Sequence, residues 1–165
     1  MDICFDCFSG VSGDMLVGAL LDIGADQNYL KNCLKSLKID DFDIKISKFL
    51  KNNYFVTDFD VILKDNHDHD LNYLNGIKKF EKIEIKRNLK IVKEIIDNSI
   101  LTEKAKNISK IIFEIIAEAE AKAHNIKKDE VIFHENGAMD SIIDIVSFSV
   151  CLDNLKVKNV YVKNL

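Results

Sequence analysis

The chain has 165 residues, 47% of them hydrophobic and 30% charged, with a formal net charge of -4, which is the composition of a folded domain and excludes a disordered tail. Its lysines are interspersed with acidic residues, which argues against a nucleic-acid-binding protein. No apolar run reaches the roughly 18 to 20 residues that cross a bilayer, and the N-terminus does not resemble a secretory signal, so we expect a cytoplasmic protein that does not bind membranes.

The first part of the chain predicts a strand, a glycine loop, two helices and a hairpin. The strand covers residues 2–8 and runs into the loop 9–13. Apolar residues then recur at three- and four-residue spacing up to Gly24, and a second helix is predicted over about 27–37. Alternating apolar residues on both sides of Asn52 and Asn53 predict a β-hairpin over 42–63.

The remainder is predicted to be mostly helical. Residues 64–72, rich in His and Asp, are expected to form an exposed loop. Helices are predicted near 89–96, 101–122 and 138–155, the second of them long and amphipathic, with short extended segments at 131–133 and 159–162. The predicted fold class is therefore α+β, a mixed sheet with a β-hairpin covered by several helices.

Four cysteines in a cytosolic chain favour free thiols over disulfides. Cys4 and Cys7 lie three positions apart on the predicted first strand and so project from opposite faces, which is a poor arrangement for a shared metal. We expect the cysteines to be small buried side chains.

The loop between the first strand and the first helix is a candidate binding site. A strand that ends in a Gly/Ser loop and opens a helix offers backbone N–H groups and a positive helix end to a phosphate. The candidate phosphate-binding residues are Ser9, Gly10, Ser12 and Gly13. No lysine follows the last glycine, so this is not a Walker loop, and a tight turn in which Ser12 or Asp14 caps the helix is an alternative. Asp6 and Asp14 would repel a bare phosphate but fit one that is accompanied by a divalent cation.

A second candidate site lies at the last helix. Asp140 and Asp144 are four residues apart and share one face of a helix that is otherwise apolar, so their carboxylates need a partner. His134 and Glu135, just upstream, supply nitrogen and oxygen ligands suited to a divalent metal. The alternative is that Asp140 caps the helix and Asp144 faces solvent.

Three other histidines are possible ligands. His124 ends the long helix and either lies near the second site or serves as a cation at the helix C-terminus. His67 and His69, among aspartates, have the composition of a weak transition-metal tract or of a solvated polar turn.

Three motifs together resemble the N-terminal motifs of the LarC family of nickel-insertion proteins. They are FSGVSGDM at 8–15, AEAEAKAH at 117–124 and FHENGAMDSIID at 133–144, and the resemblance spans nearly the whole chain. It implies insertion of nickel into a pyridinium bis(thiocarboxylate) mononucleotide, which yields the nickel-pincer cofactor of lactate racemase-like enzymes. It further implies CTP hydrolysis with Mn²⁺ or Mg²⁺.

The resemblance suggests roles for the candidate residues. The catalytic candidates are Asp6, Asp14, Glu135 and Asp140, and the metal-binding candidates are His134, Glu135, Asp140, Asp144, His67, His69 and His124. The loop residues Ser9, Gly10, Ser12 and Gly13 would hold the phosphate of the substrate. A homo-oligomer is also expected.

The chain departs from the family in three respects. Family members are much longer, so residues 1–165 are expected to match their N-terminal domain. The resemblance places CTP binding in a C-terminal domain, which is expected to be absent from this chain. That domain would act in cis or in trans. The His-rich tract is reduced to two histidines, and Asn125 and Asn136 replace a typical Gly and a small apolar residue. The alternatives are a non-catalytic nickel-binding module or metallochaperone that works with a separate C-terminal partner chain, and, disfavoured by the absent Walker lysine, a phosphotransferase.

Overall fold

The computed structural model of the chain describes residues 1–39, 42–63, 87–133 and 135–164, except for the side chains of residue 63 and residues 135–139. The helices in these ranges are α1 (Gly13–Asp22), α2 (Gln27–Lys35), α3 (Leu89–Asp97), α4 (Glu103–His124) and α5 (Glu135–Asn154). The strands are β1 (Asp2–Asp6), β2 (Phe42–Lys51), β3 (Tyr54–Leu63), β4 (Arg87–Asn88), β5 (Ile132–Phe133) and β6 (Asn159–Lys163). A 3-10 turn at Lys128–Glu130 precedes β5.

The predicted α+β class, its antiparallel hairpin and its long helix are confirmed. Within the described ranges the strands form three two-stranded sheets: β1 with β6 in parallel, and β2 with β3 and β4 with β5 antiparallel. The hairpin turns at Asn52 and Asn53, whose φ angles of 50° and 66° are in the left-handed region that asparagine tolerates better than most residues. No helix in the described part of the chain is both long and apolar enough to span a membrane.

Helix ends follow the local sequence. Thr102 caps α4 by accepting a hydrogen bond from the backbone N–H of Ala105 at 3.1 Å, so the helix begins two residues later than predicted. At its other end Asn125 adopts φ 52° and ψ 46°, the left-handed C-cap conformation that glycine usually supplies. An asparagine at this position is therefore compatible with the helix stop.

The core lies where α1 is packed between the hairpin and α5. Its fully buried side chains include Val17 and Leu20 of α1, Phe59 of β3, and Ile143 and Val146 of α5. Cys7, Cys33 and Cys151 are buried and all four cysteines are free thiols, as predicted. Burial of Cys4 is wrong, because this residue projects from the uncovered face of β1.

Helix α1 lies unusually close to strand β3. A Cβ added at Gly18 would come within 2.5 Å of the backbone oxygen of Thr57, so only glycine allows this approach. At the end of the same helix, Asp22 accepts hydrogen bonds from the Thr57 backbone N–H at 2.9 Å and from its hydroxyl at 2.5 Å. Burial alone would raise the pKa of Asp22, but the hydrogen bonds from Thr57 and the nearby Lys48 ammonium lower it below its usual value.

Replacing Thr57 by valine keeps the shape of the side chain and removes the hydroxyl donor to Asp22. We expect the free energy of unfolding at pH 7 to fall by about 1.5 to 3 kcal/mol, the range for a hydrogen bond to a charged group. Because the pKa of Asp22 is lowered by folding, this contribution is present above the unfolded pKa and is lost as the pH falls through the folded pKa. Urea denaturation at pH 7 and at about pH 3 measures both effects.

The matched control is Thr57→Ser, which keeps the hydroxyl and loses only a methyl group. It should lie closer to the wild type than the valine variant does at pH 7. A valine variant as stable as the wild type, or a deficit that does not shrink in acid, would contradict the assigned role of Asp22.

Candidate functional site

The loop between β1 and α1 turns sharply at Gly10. Gly10 has a φ of 84°, a conformation that disfavours other residues, and its N–H donates a hydrogen bond to the Cys7 carbonyl at 2.9 Å. Ser12 occupies the N-cap position of α1 but makes no side-chain capping bond, and its hydroxyl donates a hydrogen bond to the carboxylate of Asp14. The alternative in which Ser12 caps the helix through its side chain is therefore not what the structure shows.

The start of α1 is pressed against α5 at Gly13. A Cβ added there would lie 2.7 Å from the Cβ of Asp144, which is closer than side chains approach. The glycine thus lets the first turn of α1, with Asp14 and the Ser/Gly loop before it, reach the carboxylate of Asp144. The two candidate sites identified in the sequence are in this way brought together.

Near this junction, aspartates from three elements lie close enough for Asp140 to be influenced by, or to influence, the charge of each of the others. They are Asp14 of α1, Asp60 of β3, and Asp140 and Asp144 of α5. Partial burial, followed by the negative charges of Asp14 and Asp60, raises the pKa of Asp140 above its usual value. Among the described residues, no positive charge lowers the pKa of Asp140.

Asp144 is the most strongly perturbed of the four. Burial, and then the charges of Asp140 and Asp14, raise its pKa to about 7, although a hydrogen bond from the backbone of Asp14 acts in the opposite direction. Its Oδ1 atom is buried and accepts no hydrogen bond from the described residues. A buried carboxylate oxygen without a donor is costly, and either a proton or a cation would relieve the cost.

The alternative in which Asp140 caps the last helix and Asp144 faces solvent does not match this geometry. Helix α5 begins at Glu135, upstream of the predicted start, so Asp140 lies inside the helix and not at its cap. Asp144 is only partly exposed and faces the start of α1.

Asp6 and His124 have other neighbours. The Asp6 carboxylate accepts a hydrogen bond from the side-chain amide of Asn164 at 2.8 Å and lies 3.8 Å from the Lys163 ammonium, both beside β6. His124, the last residue of α4, lies 3.2 Å from the Glu120 carboxylate and is well exposed. Neither is in contact with the aspartate cluster, so their proposed roles at the site remain predictions.

Several predicted ligands fall outside the described residues. His67, His69 and His134 belong to this group, as does the predicted loop 64–72, and of Glu135 only the backbone position at the start of α5 is described. Among the described residues, no group of three or more His, Cys, Asp or Glu side chains is arranged to hold a metal ion. The visible aspartates are therefore at most part of a ligand set.

The donor chemistry of the cluster indicates what it could bind. Carboxylate oxygens suit Mg²⁺, Mn²⁺ or Ca²⁺, whereas nickel also favours imidazole. Asp60 was missed by the sequence reasoning because it lies on an alternating hairpin strand with no motif around it. Only the packing of β3 beside α5 brings it near Asp140.

Comparisons with known proteins give a consistent result. Residues 3–165 match the family model described as nickel insertion protein. The chain is 46% identical to a protein of Alkaliphilus metalliredigens over 97% of its own length and 38% of that relative, and 46% identical to one of Acetivibrio thermocellus over 95% and 37%. A Clostridium acetobutylicum relative is 42% identical over 94% of the chain and 41% of its own length.

All three relatives are named pyridinium-3,5-bisthiocarboxylic acid mononucleotide nickel insertion protein. The chain spans about two-fifths of the length of each of them. No solved structure matches the chain significantly.

Replacing Asp144 by asparagine should stabilise the metal-free protein at alkaline pH. Because folding raises the pKa of Asp144 to about 7, the wild type loses stability as the pH rises from the unfolded pKa near 4 to the folded value. We expect Asp144→Asn to gain roughly 2 kcal/mol at pH 8, allowing for the solvent that reaches this side chain, and little near pH 4. Urea denaturation at both pH values in chelator-containing buffer measures the difference.

Asp58→Asn is the control, since Asp58 is exposed on β3 and its removal changes the net charge equally. It should show no comparable gain. An Asp144→Asn variant that is no more stable than the wild type at pH 8 would mean that the carboxylate has a partner that offsets its burial.

Proposed function

Because the chain belongs to the nickel insertion protein family, we propose that it forms the part of such a protein that holds nickel and the substrate. The proposed substrate is the pyridinium-3,5-bisthiocarboxylic acid mononucleotide named for the relatives. The observation that carries the proposal is the convergence of the Ser/Gly loop, Asp14, Asp140 and Asp144 at the junction of α1 and α5.

Nickel in this proposal is the ion that is transferred, and the aspartate cluster supplies part of the ligand set that holds it. Within the described ranges, no positive charge lowers the pKa of Asp140 or Asp144, and the Oδ1 atom of Asp144 accepts no hydrogen bond. His134 and Glu135, which precede these residues in the sequence, would add the imidazole and a further oxygen. A mixed nitrogen and oxygen set of this kind holds a divalent ion and can still release it to sulfur ligands.

The loop before α1 would position the substrate. Ser9 to Gly13 lead into the N-terminus of a ten-residue helix, where backbone N–H groups and the helix dipole favour a phosphate. Asp14 beside them would repel the phosphate of a mononucleotide, and a cation between the two groups would remove that repulsion. Metal and substrate are then expected to bind together rather than independently.

The proposed reaction replaces a hydrogen atom with nickel at a ring carbon of the substrate. Nickel(II) bonds to the carbon between the two thiocarboxylates, the carbon–hydrogen bond breaks, and the proton leaves to a base, so that no electron is gained or lost. Asp14 and Glu135 are the proposed groups for this proton transfer. The two thiocarboxylate sulfurs complete the attachment of nickel.

Other elements of the proposal concern the full-length protein. They comprise the coupling to CTP hydrolysis with Mn²⁺ or Mg²⁺ and a C-terminal domain that binds CTP. They also include supply of the finished cofactor to lactate racemase-like enzymes, a cytoplasmic location and a homo-oligomeric state. These follow from the family resemblance of the three motifs and remain predictions for this chain. His67, His69 and His124 are proposed as accessory nickel ligands on the same basis.

A second candidate function is a nickel-binding module that acts only with a separate partner chain. Its basis is that CTP binding is expected outside the region shared with the relatives, and that region is 38% of the Alkaliphilus metalliredigens protein. The two candidates share the nickel site and differ in whether the substrate loop of this chain takes part in catalysis.

Nickel binding by the purified chain tests the site that both candidates share. In chelator-stripped buffer, calorimetry should show stoichiometric binding of Ni²⁺. The double variant Asp140→Asn, Asp144→Asn should weaken it by at least about 10-fold, that is, by more than about 1.4 kcal/mol. The same loss is expected for His134→Ala, Glu135→Ala, because a divalent ion loses two ligands in each case.

The control is Glu103→Gln, Glu118→Gln, which removes two exposed carboxylates from α4 and leaves the junction intact. It should bind nickel as the wild type does. Binding that survives both site variants would transfer the assignment to His67 and His69, and absence of binding in every protein would refute nickel binding by this chain.

A further inference from the structure

Strand β6 is uncovered along its whole length. All five of its residues are exposed, including Val160 at 42%, Tyr161 at 57% and Val162 at 50%. Small and large apolar side chains on a strand are normally covered, and an exposed apolar strand is an aggregation hazard. We therefore expect this strand to be covered by another polypeptide segment in the functional protein.

The core packs against β1 but not against β6. Val160 is paired with Ile3 and Val162 with Phe5 in the parallel register, so each pair projects from the same face. Ile3 and Phe5 are packed against the core, and the Phe5 ring lies 6.1 Å from that of Phe148 in α5. The two valines extend this buried face but remain 42% and 50% exposed, with no described element packed over them.

The other face of β6 is also apolar at its centre, where Tyr161 stands beside Cys4. A strand that carries Val, Tyr and Val in succession has apolar residues on both faces, the pattern of an interior strand of a parallel sheet. An isolated two-stranded sheet is marginal, and parallel sheets are almost always covered on both sides. The pairing of β1 with β6 thus has the character of part of a larger sheet.

The backbone of β6 has an open side as well. The carbonyl of Lys163 accepts a hydrogen bond from the N–H of Cys7 at 2.9 Å, so the backbone groups of Lys163, and of Tyr161 two residues earlier, are directed at β1. The N–H and C=O groups of Val160 and Val162 point the other way. Charged residues usually protect such an edge, but the Lys163 ammonium is directed at Asp6 of β1.

We propose that the open edge of β6 binds a β-strand from the portion of the nickel insertion protein that this chain does not span. The family relatives supply the argument for this occupant, since the aligned region is 38% of the Alkaliphilus metalliredigens protein and more than half of that protein lies elsewhere. The added strand pairs with Val160 and Val162 and presents apolar residues on the same face. This interface rests on family membership and on the exposed edge and requires neither nickel nor the aspartate cluster.

Hydrogen exchange at the β6 amides tests the interface directly. The chain is compared alone and as a chimera in which it replaces the aligned segment of the Alkaliphilus metalliredigens relative. Mass spectrometry with single-residue fragmentation should show exchange at the amides of Val160 and Val162 slowed at least about 100-fold in the chimera. The amides of Tyr161 and Lys163, already bonded to β1, should be protected in both proteins.

A pair of variants gives an independent readout. Val162→Glu should leave the thermal midpoint of the isolated chain almost unchanged and lower that of the chimera, whereas Ile115→Glu, at an exposed apolar position of α4, should have the same small effect in both. Fast exchange at Val160 and Val162 in the chimera would overturn the proposal. So would slow exchange in the isolated chain together with a dimeric mass, which would make a second copy the occupant.

Discussion

The close approach of α1 to α5 is the constraint on which the rest of the candidate site depends. Two glycines set the position of α1: Gly18 allows it to lie on the backbone of β3, and Gly13 allows its first turn to meet Asp144. A larger side chain at either position would separate the loop from the carboxylates. Helix α1 is therefore held in one position between the hairpin and α5. The raised pKa values of Asp140 and Asp144 are a consequence of this packing.

Much of the fold was predictable because its elements have strong local signals. The hairpin was predicted from alternation around Asn52 and Asn53, and the long helix from its apolar stripe. The strand β4 was not predicted, since two residues, Arg87 and Asn88, have no periodicity to detect. Helix α5 starts earlier than expected because the residues before Ala138 carry no apolar repeat.

The site was predictable only in part. Asp14, Asp140 and Asp144 were identified because each stands in a motif, but their proximity depends on the packing at Gly13, which no local pattern encodes. Asp60 joins them from a strand that is far away in the sequence. Asp6 is close to the glycine loop along the chain, but its side chain is directed at Asn164 and Lys163.

The pairing of β1 with β6 joins residues from the two ends of the described chain, since Asp2 is matched with Asn159. Contacts between such distant segments raise the contact order and slow folding. During synthesis, β1 cannot pair with β6, its partner among the described strands, until Asn159–Lys163 have left the ribosome. Until then the glycine loop that follows β1 lacks this support. Helices α3 and α4, built on local contacts, can form well before that moment, so the binding loop is expected to be among the last parts of this chain to become ordered.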